Sequence, residues 1–177
     1  MEFRKAHWDD VEELSSLFDD LCDYLQEHGN DPGWKKGEYP TREDALRGIR
    51  DSAMYVLTEQ GRILGTVTLR HRGEEGYNNV EWFTENDYDR IYVVCTLAVH
   101  PTYLRMGIAQ KLLESAEDVA RKEGCISLRL DLVKGNLPAE NLYRKCGYRF
   151  VGETSLGYEA YGLPWFHLYE KQIDRNA

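Results

Sequence analysis

Residues 93–113 read V-V-C-T-L-A-V-H-P-T-Y-L-R-M-G-I-A-Q-K-L-L, an apolar run, a short turn and then an amphipathic repeat. Gly107 and Ala109 stand where the repeat begins, and their small side chains let a ligand approach the backbone closely. The first N–H groups of a helix have no intrahelical partner, and together with the helix dipole they bind anions. Arg105 adds a positive charge, so a pyrophosphate is a suitable guest. Read alone, a G-x-A at a helix start more often reflects ordinary packing. Neither G-x-x-x-x-G-K-[ST] nor G-x-G-x-x-G occurs, which leaves the two common nucleotide fingerprints unmatched. H-E-x-x-H and G-x-S-x-G are also missing.

The elements that must hold this junction follow from hydrophobic periodicity. A strand over Phe3–Ala6 precedes a helix whose apolar stripe is Trp8, Val11, Leu14, Leu17, Phe18, Leu21, Cys22 and Leu25. Asp9 with Glu12 resembles a capping box, and Gly29 is a stop signal. A Gly- and Pro-rich loop leads to a short helix from Thr41 to about Arg50. Met54–Thr58 and Ile63–Arg70 predict a hairpin. The polar stretch 71–89 is long for a loop, a length associated with function or mobility. Ile91–Val99 reads as a strand buried on both faces. A helix from Ile108 stops at Gly124, a strand spans Ile126–Val133, and a short helix spans Pro138–Cys146, with Gly147 beyond its end. Strands over Tyr148–Glu153 and Trp165–Lys171 close the chain. The order predicts one α/β domain over residues 1–177, with a mixed sheet and a single parallel crossover.

A second segment, residues 128–148, reads L-R-L-D-L-V-K-G-N-L-P-A-E-N-L-Y-R-K-C-G-Y. Together the two segments resemble the GNAT superfamily of acyl-CoA-dependent N-acyltransferases. The strand ending L-x-V-x-P appears as Leu97, Val99 and Pro101. The phosphate turn appears as Leu104, Arg105, Met106, Gly107, Ile108 and Ala109, with Leu104 standing where Gln or Arg is usual. The motif N-x-x-A-x-x-L-Y-x-K-x-G-[FY] appears as Asn136, Ala139, Leu142, Tyr143, Lys145, Gly147 and Tyr148. The resemblance is close over residues 91–150, and the element order agrees over nearly the whole chain. It implies a central mixed sheet of about six to seven strands flanked by about four helices.

The same resemblance implies that acetyl-CoA is the acyl-donor cosubstrate and that no metal is needed. Its pantetheine arm is expected to lie between two splayed strands, along Leu97, Ala98 and Val99. The Val99 N–H is then placed to polarise the thioester carbonyl. Asn136 is expected to hold the arm's amide. Tyr143 is expected to protonate the departing thiolate, a phenol of pKa about 10 facing a thiol of about 8.5; packing on its helix is the plainer role.

A base is harder to assign. Cys95 occupies the central-strand position where many relatives carry a glutamate. Glu81, Glu85, Asp87 and Asp89 are the alternatives, with Glu81 beside Trp82 the most suggestive, although each on its own reads as a solvated loop charge. An amine could also bind already deprotonated. Trp34 and Tyr39 either wall an acceptor pocket or anchor their loop. His167 alternates with Trp165 and Tyr169, a row that either faces the acceptor or packs the sheet. His100, before Pro101, reads as structural, and His7, His28 and His71 lack metal-ligand spacing.

Length and charge bound the remainder. The 177 residues carry 22 basic and 31 acidic side chains, a formal charge of −9, and the pI is near 5.1. An acidic chain is ill suited to gripping nucleic acid. No apolar run approaches the ~20 residues of a membrane span. The first residues lack the apolar region of a secretory signal. Residues 1–31 hold ten acids and two bases, so nearly all the excess sits there. That segment reads as a solvated helix face or as a rim attracting cationic amines. The four cysteines form no C-x-x-C pair, and Cys22 and Cys95 sit in apolar patterns, so a cytoplasmic chain with reduced thiols is expected. The resulting expectation is an N-acetyltransferase that transfers directly to a primary amine of a small molecule or peptide. The resemblance also allows a homodimer. The rival readings are a non-catalytic acyl-CoA-binding module of the same fold and a transferase of longer acyl groups.

Overall fold

The computed structural model describes residues 1–174. Seven strands are ordered β1-β2-β3-β4-β5-β7-β6. They are β1 (Glu2–Lys5), β2 (Met54–Glu59), β3 (Arg62–Arg70), β4 (Ile91–Val99), β5 (Ser127–Val133), β6 (Arg149–Thr154) and β7 (Phe166–Gln172). The helices are α1 (Val11–His28), α2 (Arg42–Arg50), α3 (Ile108–Lys122) and α4 (Leu137–Lys145). The mixed sheet and four helices match the expected architecture, and β4 and β5 are the parallel pair. None of the helices among the described residues is long and apolar enough to cross a membrane.

Two compact units divide the chain. The first holds Met1–Asn30, Trp34–Leu69 and Cys95–Ser115. Its core is the predicted α1 stripe, Leu14, Leu17, Phe18 and Leu21, packed with Ala45 and Ile49 of α2 and with Val56 and Ile63 of the hairpin. Trp8 does not join it: it lies in a 3-10 turn, Trp8–Asp10, and is exposed. The cap also differs from the expected one. The His7 N–H donates to Asp10 Oδ2 at 2.7 Å, and Arg4 grips both oxygens of Asp10. Glu12 instead accepts from Arg42 on α2. Thr41 caps α2 with Asp44 in the reciprocal arrangement.

The second unit holds Asp31–Gly33, Arg70–Val94 and the chain from Ala116 onward. Here β7 lies antiparallel to both β5 and β6. The parallel register of β4 and β5 runs from Ile91↔Ser127 to Val93↔Arg129. Residues 130–133 of β5 lie beyond it. The polar stretch 71–89 is not a bare loop. It contains a 3-10 turn, Glu75–Asn79, and a second, Tyr88–Arg90, completes it. Buried side chains from two strands tie it down, as described below.

One expectation about β4 fails at its centre. Ile91–Val94 and Ala98–Val99 are buried, whereas Cys95, Thr96 and Leu97 are half-buried. Thr96 has φ +46, a left-handed conformation uncommon for a non-glycine residue inside a strand. Cys95, expected to be a buried hydrophobe, therefore lies beside a break in the strand.

Candidate active site

In the first unit, the turn after β4 has the geometry of an anion cradle. Arg105 has φ +63 and Gly107 φ +78. Left-handed residues interspersed in a turn aim successive N–H groups toward one concavity. The N–H groups of Gly107, Ile108, Ala109 and Gln110 have no backbone acceptor among the described residues, while Lys111 N–H already bonds to Gly107 O at 3.0 Å. A Cβ built on Gly107 would meet nothing within 4 Å, so the approach is open. Arg105 and Met106 are exposed, Leu104 is half-buried, and Ile108 anchors the turn from the buried face of α3.

The Val99 N–H lies at the end of β4. His100 N–H donates to Leu64 O of β3 at 2.9 Å. Backbone donors alternate in direction along a strand, so the Val99 N–H points to the edge of β4 away from β3. Tyr39 reaches the same strand, with its hydroxyl 2.5 Å from Thr96 Oγ1. Trp34 packs edge-on against Tyr39, at 5.8 Å between ring centres, and against the core. Trp34 thus packs its loop onto the core, and Tyr39 is exposed beside Thr96. His100 is held between Thr102 N–H and Asp20, as a structural residue would be.

In the second unit, Asn136 is buried as the N-cap of α4, and its Oδ1 accepts from Ala139 N–H at 3.2 Å. Its amide nitrogen is not consumed by that bond. Tyr143 is buried on α4, with its ring 5.9 Å from that of Tyr148. The row of His167 and Tyr169 faces α4, since the Tyr169 hydroxyl donates to Glu140 at 2.6 Å. His167 Nε2 lies 3.0 Å from Glu153, which also holds Lys134. Glu81 is exposed.

A cluster that sequence reasoning missed lies on the opposite face of β7 and β5. Arg129 and Glu170 are fully buried, 3.0 Å apart. The guanidinium also donates to Asn86 Oδ1 at 2.7 Å and to the Thr84 carbonyl at 3.1 Å, and it stacks 4.2 Å over Trp82. Glu170 accepts from the N–H of Phe83 at 2.6 Å and from the hydroxyl of Thr84. Trp82 Nε1–H donates to the Tyr77 carbonyl at 2.8 Å, and the buried Tyr77 hydroxyl donates to Asp131 Oδ2 at 2.6 Å. Gly76 makes this fit possible, because a Cβ there would lie 2.3 Å from the Ser155 carbonyl oxygen. Burial raises the Asp131 carboxyl to about 6, against the pull of the Tyr77 hydrogen bond, and nearby Glu74 adds to the rise. One sequence signal was available: Arg129 and Asp131 alternate with Leu128, Leu130 and Leu132 in an otherwise apolar strand.

A sequence model described as "Acetyltransferase (GNAT) family" matches residues 14–148. The chain belongs to the acetyltransferase (GNAT) family. This GNAT acetyltransferase is thus an acyltransferase that uses acetyl-CoA. It is 25% identical over 170 residues to the uncharacterized N-acetyltransferase YesJ of Bacillus subtilis, covering 95% of this chain and 88% of that one. Among solved structures, a GNAT family acetyltransferase of Streptococcus agalactiae superposes with a TM-score of 0.82 at 20% identity, covering 98% of this chain and 95% of that one. The acetyltransferase yncA of Salmonella typhimurium, solved with acetyl-CoA, gives 0.70 at 16% identity, covering 99% and 95%. At such identities the structural likeness is one of fold.

The residues of this GNAT member suit the cosubstrate. Open space over Gly107, the unpartnered N–H groups behind it and the exposed Arg105 together form a setting for a diphosphate.

Proposed function

We propose that this GNAT acetyltransferase carries an acetyl group from acetyl-CoA directly to a primary amine of a small molecule or peptide, with both substrates bound at once. The observation that carries the reading is the cradle at Arg105–Gly107, which follows a strand whose Val99 N–H points away from its β3 neighbour. The diphosphate is taken by the turn, and the pantetheine amides by Leu97, Val99 and Asn136. The Val99 N–H stabilises the oxyanion that forms on the thioester carbonyl. The neutral amine nitrogen attacks that carbon, the C–S bond breaks, the nitrogen's surplus proton leaves to solvent, and the thiolate takes a proton from Tyr143. Direct attack is favoured over a covalent relay because β4 offers only Cys95, which is half-buried beside the strand break.

Calorimetry with acetyl-CoA and CoA, followed by thiol release over a panel of small amines, polyamines and peptide amines, tests the reading. Binding with release supports transfer. Binding without release over the whole panel supports the acyl-CoA-binding module instead.

A further inference from the structure

We infer that His100 is a positioning residue for the diphosphate cradle and makes it sensitive to protons. The neutral imidazole holds the turn in shape and the protonated one releases it, so acidification weakens CoA binding. This inference rests on the cradle reading above.

His100 joins the strand to the turn. Its N–H donates to Leu64 O of β3 at 2.9 Å, which pins the end of β4. Its carbonyl accepts from Tyr103 N–H at 2.9 Å. Pro101 opens the 3-10 turn Pro101–Tyr103 and has no N–H to donate. The first free donor of that turn is therefore Thr102 N–H, and its one acceptor among the described residues is His100 Nδ1, at 3.2 Å. An imidazole here does what Ser, Thr, Asn or Asp does at most N-caps. Backbone bonds carry the constraint onward. Leu104 N–H donates to Pro101 O at 3.2 Å and Met106 N–H to Tyr103 O at 3.4 Å, which brings the chain to Gly107.

The Thr102 bond fixes where the ring carries its proton. A backbone N–H can only donate, so Nδ1 must offer its lone pair. The proton of the neutral ring then sits on Nε2, which lies 3.4 Å from Asp20 Oδ2 of α1. A second proton can enter only at Nδ1. Both nitrogens are then donors, and Nδ1–H faces Thr102 N–H with no lone pair between them. Asp20 keeps the imidazolium on α1 while the Thr102 bond is lost. Added positive charge favours an anionic ligand and so opposes this loss, but Asp20 already compensates it. Among the other neighbours, β3 supplies the neutral Leu64 carbonyl, and the turn supplies Tyr103, with ring centres 5.6 Å apart. Asp23, further along α1, is taken by Lys36, and Arg105, further along the turn, is exposed.

The test has two arms. Calorimetry with CoA is run on the parent, His100→Asn and His100→Ala at about pH 8 and about pH 5.5, the range in which histidine changes charge. Asparagine puts an oxygen where histidine has Nδ1, so it can still cap Thr102, and it takes up no proton. The phosphates of CoA titrate alike in all three proteins, so the comparison removes them. The parent is expected to lose about fivefold more affinity than His100→Asn across that range, the worth of one capping bond. His100→Ala, uncapped throughout, should bind CoA about fivefold more weakly than the parent at about pH 8. The second arm needs no ligand and no variant. In the parent without CoA, the Thr102 amide resonance should shift with the same midpoint as the His100 ring protons. If the parent loses no more affinity than His100→Asn, or if the Thr102 amide does not follow the ring, the inference is overturned while the cradle stands. A parent that binds no CoA at about pH 8 overturns both.

Discussion

Arg129 on β5 and Glu170 on β7 form a fully buried ion pair, 3.0 Å from Nε to Oε1 and 41 residues apart in sequence. Both side chains also satisfy polar groups of residues 83–86, so the stretch that looked like a long free loop is fastened to the sheet. Replacing one partner strands the other charge in the interior. Arg129→Met should cost about 3–5 kcal/mol of unfolding free energy, measured in urea. A loss below about 1 kcal/mol would show that the pair contributes little to holding the fold.

Gly107→Glu should abolish CoA binding with little change in fold. The cause is not a clash with the protein, since the Cβ position is open. A left-handed φ of +78 costs an L-residue roughly 1–2 kcal/mol, and the new carboxylate repels the diphosphate. Calorimetry with CoA decides: retained affinity refutes the cradle.

Tyr143→Phe should reduce turnover about 100-fold if the phenol is the acid, while acetyl-CoA affinity stays near that of the parent. The ring is buried against Tyr148, so the phenylalanine still fills the space. Unchanged turnover would leave Tyr143 with a packing role alone.

Asp131 makes a stability prediction. Its folded pKa lies above the unfolded value, near 6 against an ordinary 3.8. Between those values the folded chain binds more protons than the unfolded chain, so stability falls as pH rises through the window. The cost of ionisation is complete near pH 7 and absent below about pH 4. Asp131→Asn keeps an acceptor for Tyr77 but carries no charge. It should therefore match the parent near pH 4 and exceed it at pH 7 by on the order of 2 kcal/mol. Urea melts at the two pH values measure the difference, and equal stability at both would refute a raised carboxyl.

The parts of the site that were legible in sequence are local. The start of α3 and its glycine are fixed by neighbours within a few residues, and the structure shows them where they were read; that Asn136 caps α4 is a finding of the structure. Tyr77 and Asp131 are 54 residues apart, and no spacing rule joins a 3-10 turn to a strand at that distance. The capping box, read as Asp9 with Glu12, forms two residues earlier, between His7 and Asp10, because Arg4, arriving from β1, holds Asp10 there. Five of the ten acids in residues 1–31 proved to hold partners: Asp10, Glu12, Glu13, Asp20 and Asp23. Composition counted those charges but could not tell committed ones from free ones.

Gly76 has a bearing on how this protein could be changed. Neither it nor its neighbourhood needs to touch a substrate, yet any side chain there must displace the Ser155 backbone and, with it, the turn that carries Tyr77. In a saturation library screened for new acceptors, position 76 should therefore tolerate as little as the reacting positions do. The exposed aromatics Tyr161 and Trp165 offer freer ground for diversification.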